Sequence, residues 1–288
     1  YSLVPGENHQ YKFTFKFFRD CAGSPAPQNQ TMCCENQCGA VAQMITLSLE
    51  VPIGAVLPNG HIQGAAVASG CAGATNTCNG GNLPGYQEYW YSATYTIPSQ
   101  CNSWHFWVFN CCRNGSIGNI DNPAGTSFFV ETTYDNTNNQ NFNTSPDFLQ
   151  SLLPYVCVNV PVTYNNGAYD LNGDSLTYEI IEPRSQMSCG VFAPVNILSP
   201  AYNIANNPFP TNNTFYIDPS TGMTTFTPSV TGVYVITVKV NEYRSGNLIG
   251  HILREVQFVV GNCTLTQPTF TLDTSNISGG YYNNNQIK

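Results

Sequence analysis

Asp170-Leu-Asn172-Gly173-Asp174 sets three oxygen-bearing side chains two residues apart. Calcium and other hard cations are held by such arrays of carboxylate and amide oxygens. A helix-loop-helix calcium loop carries a bidentate acid at its twelfth position, and counting from Asp170 that position is Ile181, so the stretch is not an EF-hand. The competing local reading is an Asx-turn, in which Asn172 and Asp174 bond neighbouring backbone groups. After the loop, Leu176, Tyr178 and Ile180 alternate with Thr177 and Glu179, the period of a half-buried strand.

Other chemistry-bearing residues are less organised. His9, His61, His105 and His251 stand in unrelated contexts, and the chain has no G-x-S-x-G elbow, H-E-x-x-H helix or phosphate-cradling loop. Asp20 with Glu50, or Asp121 with Glu131, is the least implausible carboxylate pair for glycoside hydrolysis, but isolated acids in a β-protein are ordinarily surface residues. The reading is therefore non-catalytic. Tyr86, Tyr89, Trp90 and Tyr91 cluster beside a Gly/Ala/Asn-rich excursion and are candidates for stacking on sugar rings, with burial in the core as the plainer alternative.

Composition narrows the class. Only 9% of the 288 residues are charged, the formal net charge is -8, and nine basic residues scarcely make a surface for nucleic acid or anionic lipid. No apolar run reaches membrane-spanning length, so membrane insertion is not expected. Twelve cysteines imply an oxidising compartment and disulfides. Cys33, Cys34 and Cys38 form a C-C-x3-C cluster without the paired knuckles of a zinc site. Cys71 and Cys78, seven apart, are candidates to close a short loop. Adjacent cysteines in a strand face opposite sides, so Cys111 and Cys112, like Cys33 and Cys34 if extended, are expected to have different partners, with a vicinal disulfide as the alternative. The chain reads as a processed or excised segment of a secreted protein.

The elements that must position these residues read as strands. Tyr11, Phe13, Phe15 and Phe17 alternate with polar residues up to Arg19-Asp20-Cys21, and Cys21 to Cys38 reads as a loop. Further strand signals lie at 44–51, 89–97, 104–112 and 128–134. In the second half, Ile217-Asp-Pro-Ser-Thr-Gly222 is a turn, Gly232 to Val240 a central strand, and Arg244-Ser-Gly-Asn a hairpin into His251 to Val260. No segment shows a capped helical period. The expectation is all-β: two Ig/cadherin-like β-sandwiches in tandem, residues 1–144 with long disulfide-rich loops and residues 145–262, followed by an extended tail or linker at 263–288.

Residues 145–260 resemble the cadherin-like and PKD-like sandwich modules of large secreted bacterial proteins. The resemblance rests on Ser145-Pro146-Asp147-Phe148, the Asp170 to Tyr178 motif, the Ile217 to Pro228 turn, and Gly232 to Glu242. More widely, residues 1–263 resemble a segment of the giant surface adhesins of gliding Bacteroidetes. Its landmarks are Phe18-Arg-Asp-Cys21, Trp104 with Cys111-Cys112-Arg-Asn114, Gly167-Ala-Tyr-Asp170, and Glu242-Tyr-Arg244 through Gln257-Phe258 to Cys263. In such modules an acid after the penultimate strand faces the Asp-x-Asn-Gly-Asp loop, which adds Glu242 to Asp170, Asn172 and Asp174 as a candidate Ca2+ site.

The resemblance implies a non-catalytic structural or adhesive module of an extracellular, cell-surface protein linked to gliding motility or attachment. Its expected partners are neighbouring domains, copies of itself, or surface polysaccharide. The alternatives are a filament subunit polymerising by strand donation or edge pairing, and a carbohydrate-binding module.

Overall fold

The aromatic alternation near the start of the chain does form a strand, with Tyr11 and Phe13 buried and Thr14 in solvent. The computed structural model describes residues 1–39, 42–67, 75–137, 143–149, 155–190, 192–212 and 215–263. Its first half carries β1 (Ser2–Leu3), β2 (Gln10–Asp20), β3 (Asn29–Asn36), β4 (Gln43–Leu49), β5 (Tyr86–Thr96), β6 (Trp104–Asn110) and β7 (Phe128–Tyr134). The second half adds β8 (Asp147–Phe148), β9 (Tyr155–Cys157), β10 (Val162–Asn165), β11 (Ala168–Tyr169), β12 (Ser175–Ile181), β13 (Arg184–Ser185) and β14 (Val195–Asn196). It ends with β15 (Tyr216–Ile217), β16 (Met223–Phe226), β17 (Gly232–Arg244) and β18 (Asn247–Gly261). Among the described residues the helical pieces are two single 3-10 turns, Thr77–Asn79 and Pro123–Gly125. The fold is all-β.

One curled sheet threads the molecule in the order β1-β2-β5-β4-β3-β6-β7-β18-β17-β12, antiparallel throughout, with β9 added in parallel against β18. Smaller sheets, β10-β16-β15 and the pairs β8-β11 and β13-β14, lie outside it. The β17–β18 hairpin turns through Ser245 and Gly246, both at positive φ (51° and 80°), the primed turn whose twist matches that of the strands. Its β17 is flanked on both sides, as its nearly unbroken run of β-branched residues requires.

Two main apolar cores follow. One is built on Tyr11, Phe13, Met32, Tyr91, Trp104, Phe106 and Tyr134, the other on Tyr178, Phe209, Phe226, Val238, Val240, Val256 and Phe258. Edge-to-face ring pairs such as Phe226 with Phe258, 4.9 Å between centroids, order the second. The β7–β18 ladder (Tyr134↔Gly250, Thr133↔His251, Thr132↔Ile252) carries the sheet from one half into the other. Polar ties reinforce that seam. Buried Asn119 donates to the carbonyls of Val235 (2.6 Å) and Pro208 (2.9 Å), and buried Arg113 pairs with Glu255 at 2.6 Å.

Several expectations are corrected. The stretch 21–38, read as a loop, contains β3, because buried Gln30, Met32 and Cys34 place alternate residues on one face between β4 and β6. Cys78 pairs with Cys21 rather than with Cys71: the Asn76-capped turn Thr77–Asn79 sets it against the end of β2, where the Cys21 amide donates to the Gly85 carbonyl (2.8 Å). Cys71 and the tail from 264 onward lie outside the described residues.

Cys111 and Cys112 are bonded to each other across a cis peptide, not to separate partners; both lie beyond the end of β6, so strand alternation does not govern them. The alternation does hold inside β3. There Cys33 faces one side and bonds Cys189, while Cys34 faces the first core as a free thiol. Cys34 is thus no disulfide partner. Burial pushes its thiol up to about 12 and keeps it inert. Cys38–Cys101 and Cys157–Cys263 complete the bridges among the described residues.

Candidate cation site

The loop between β11 and β12 is shaped by its own first residue. Asp170 Oδ1 accepts the amides of Asn172 and Asp174, both at 2.9 Å, and Gly173 takes the positive φ (81°) that closes the turn. The Asx-turn therefore forms. It occupies only one of the Asp170 oxygens. Strand β12 then pairs with β17 so that Leu176 lies opposite Glu242, at an irregularity in the β17–β18 ladder between Glu242 and Tyr243. Bulged positions of this kind re-aim side chains.

Loop and strand together bring Asp170, Asp174 and Glu242 close enough that one carboxylate oxygen from each lies within 4.8 Å of the others. Glu242 is only 1% exposed. Its Oε1 and Asp170 Oδ2 are both buried without a hydrogen-bond partner. Burial, augmented by the negative charges of Asp170 and Asp174, pushes the Glu242 carboxyl up to about 8. Two orphaned buried oxygens in a cluster of three acids are a donor set that fits a hard divalent cation.

The fourth expected ligand is placed differently. Asn172 Oδ1 accepts the Thr144 amide at 2.8 Å and so ties the loop to the segment preceding β8. Sequence reasoning missed Arg244, whose Nε donates to Asp174 Oδ1 at 2.7 Å and whose Nη2 reaches the other Asp174 oxygen and Asn143 Oδ1 (2.7 Å). The guanidinium offsets one of the three negative charges and orients Asp174. Its position two residues after Glu242 on the same strand was the available signal.

The remaining candidates resolve into packing. Tyr86, Tyr89, Trp90 and Tyr91 are all buried, at 3%, 8%, 7% and 0% exposure, so no open ring face remains for a sugar to stack upon. Tyr89 and Tyr91 face the first core, and Trp90 on the other face lies under Lys16 and donates to Glu88 (2.7 Å). Of the carboxylates considered for hydrolysis, Glu50 is paired with Lys12 and Asp20 accepts from the Asn114 side chain (2.8 Å). Glu131 is buried among His251 (3.0 Å), Arg184 (3.3 Å) and His105 (3.6 Å). Two of the four histidines, read as unrelated, thus converge on one acid. The register makes this unavoidable: His105 and His251 flank Thr133 on either side, two residues from Glu131.

No protein-family model, no curated protein and no solved structure matches this chain.

Proposed function

We propose that the chain is a non-catalytic, secreted structural or adhesive module of a bacterial cell-surface protein, of the kind its sequence resembles in gliding adhesins. Its halves act as two tandem Ig/cadherin-like units. A Ca2+ ion held by Asp170, Asp174 and Glu242 braces the loop above the second. The observation that carries the cation reading is the pair of unsatisfied buried oxygens, Glu242 Oε1 and Asp170 Oδ2, since an unpaired buried carboxylate oxygen is costly unless a proton or a cation meets it. Five disulfides among the described residues support the extracellular placement.

Three carboxylates with one partly shared arginine suit a weak extracellular site, in the range of about 10⁻⁴ to 10⁻³ M. Neighbouring domains or copies of the chain are the partners such a brace serves. Calorimetry of the oxidised chain with calcium is expected to show one site, lost in Glu242→Gln. Absence of heat together with an unchanged melting temperature rejects it.

A further inference from the structure

Strands β3 and β6 part at one end. Their ladder runs from Asn36↔Trp104 to Met32↔Val108 and stops, although β3 reaches back to Asn29 and β6 runs on to Asn110. Each strand keeps its outer neighbour instead: Asn29↔Ser48 and Thr31↔Thr46 hold β3 to β4, while Phe109↔Phe129 and Asn110↔Phe128 hold β6 to β7. The sheet is split there. Gln37 donates its amide to the Ser103 carbonyl (3.3 Å) in the β3–β6 register, so alternate residues of β3 back to Asn29 turn their backbone groups toward β6. Those of Asn29 meet no strand on that side among the described residues.

The split holds a cavity of about 530 Å³, the size of a small-molecule site. Asn29, Gln30 and Thr31 line one side and Phe109, Asn110 and Cys111 the other, with Asn110 Nδ2 donating to Gln30 Oε1 (3.2 Å) between them. Met187, Ser188 and Cys189 form a further wall, which the Cys33–Cys189 disulfide fixes to β3. The exposed thioether of Met44 completes it.

The lining selects by charge first. No Lys, Arg, His, Asp or Glu belongs to it, and Cys111 and Cys189 are both in disulfides, so neither an anion nor a cation finds a counter-charge. A purely apolar ligand is disfavoured as well, because the Asn29 backbone and the Asn29 and Asn110 amides would lose water without replacement. Hydroxyls both donate and accept, which suits a wall that offers N–H and C=O groups together. The C–H face of a sugar ring has Phe109 and the flexible Met side chains to lie on. We infer that this split binds one or two rings of a neutral saccharide. It shares no residue with the cation site and stands or falls separately from it.

The methionines report the test. Met44 and Met187 line the cavity, whereas Met223 lies on β16 outside it. Methyl-labelled methionine spectra of the full oxidised chain are followed in chelator, which keeps the cation site out of the result, as the methyl glycosides of glucose, galactose and mannose are added, each beside its uronate. At least one neutral glycoside is expected to shift Met44 and Met187 with Met223 unmoved, and its uronate to bind at least tenfold more weakly. Asn110→Ala and Asn29→Leu should each raise the dissociation constant at least tenfold; Asn29 is exposed, so its variant carries the test even where Asn110→Ala fails to fold.

The inference is overturned when no neutral glycoside moves Met44 and Met187, or when Met223 shifts equally. Equal binding of the uronate, or binding unchanged in Asn29→Leu, overturns it too.

Discussion

With its carboxyl pushed up to about 8, first by burial and then by the charges of Asp170 and Asp174, Glu242 keeps a proton in the folded chain where the unfolded chain has released it. Its contribution to stability is whole below the ordinary carboxylate range and is lost as pH rises toward about 8. In chelator, the melting temperature should therefore fall between about pH 5 and pH 8, and calcium should reverse the fall. Glu242→Gln should flatten that slope and abolish the calcium response; thermal melts across pH with and without the ion read both.

Glu131 titrates in the opposite sense. Burial alone would raise its carboxyl, but His105 and His251 outweigh it and bring it to about 2. The stability it contributes is present above the ordinary carboxylate range and disappears as pH drops toward about 2. Glu131→Gln is expected to cost about 3 kcal/mol at pH 7 by leaving the partners of a buried ionic cluster unmatched. Urea unfolding measures it, and a loss below about 0.5 kcal/mol contradicts it. The loop acids were legible in the sequence because two-residue spacing is local. The convergence of two histidines on Glu131 was not, because it arises from strand register, which brings His251 onto Glu131 across a sequence separation of 120.

Among the elements, β2, β4 and β12 lie where period-two patterning placed them, and β17 lies where its nearly unbroken run of β-branched residues did. Strand β3 was hidden because both faces are buried at Cys33-Cys34 and because polar residues such as Gln30 are buried in it, with Gln30 Oε1 accepting from Asn110 of β6 (3.2 Å), so no polar–apolar alternation shows in the sequence. The two-residue strands β8, β11, β13, β14 and β15 carry no period at all; tertiary pairing makes them. The β17–β18 turn, by contrast, was announced by Ser245-Gly246 and offers a clean test of local backbone strain. A Cβ on Gly246 would meet nothing within 4 Å, so Gly246→Ala isolates the cost of a positive φ, about 1 kcal/mol. Ser245→Asn, better suited to the same region, should be neutral or slightly stabilising. Denaturant midpoints at constant slope decide between strain and a change in the unfolded state.

At the scale of the whole molecule, three unlike devices work at the seam between the halves beside the Asn119 side-chain bonds: the β7–β18 ladder, the Arg113–Glu255 pair and the Cys33–Cys189 disulfide. The first two form only in the folded state. The disulfide also acts on the unfolded chain, by closing a loop with a sequence separation of 156. Loop-closure entropy at that length amounts to about 5 kcal/mol in the chain-entropy model, the largest such term of any bridge in the described residues.

Cys33→Ser with Cys189→Ser should therefore lower stability by about 3 to 5 kcal/mol while leaving the sheet assembled, since Cys33 sits inside β3 and keeps its ladder partners Met44 and Trp107. The same double substitution lets the order of unfolding be read. If the non-covalent contacts alone couple the halves, oxidised unfolding without this bridge remains a single transition by both tryptophan fluorescence, which reports Trp90, Trp104 and Trp107 of the first half, and far-ultraviolet circular dichroism, which reports both. Transitions that separate by probe would instead assign the coupling to the disulfide.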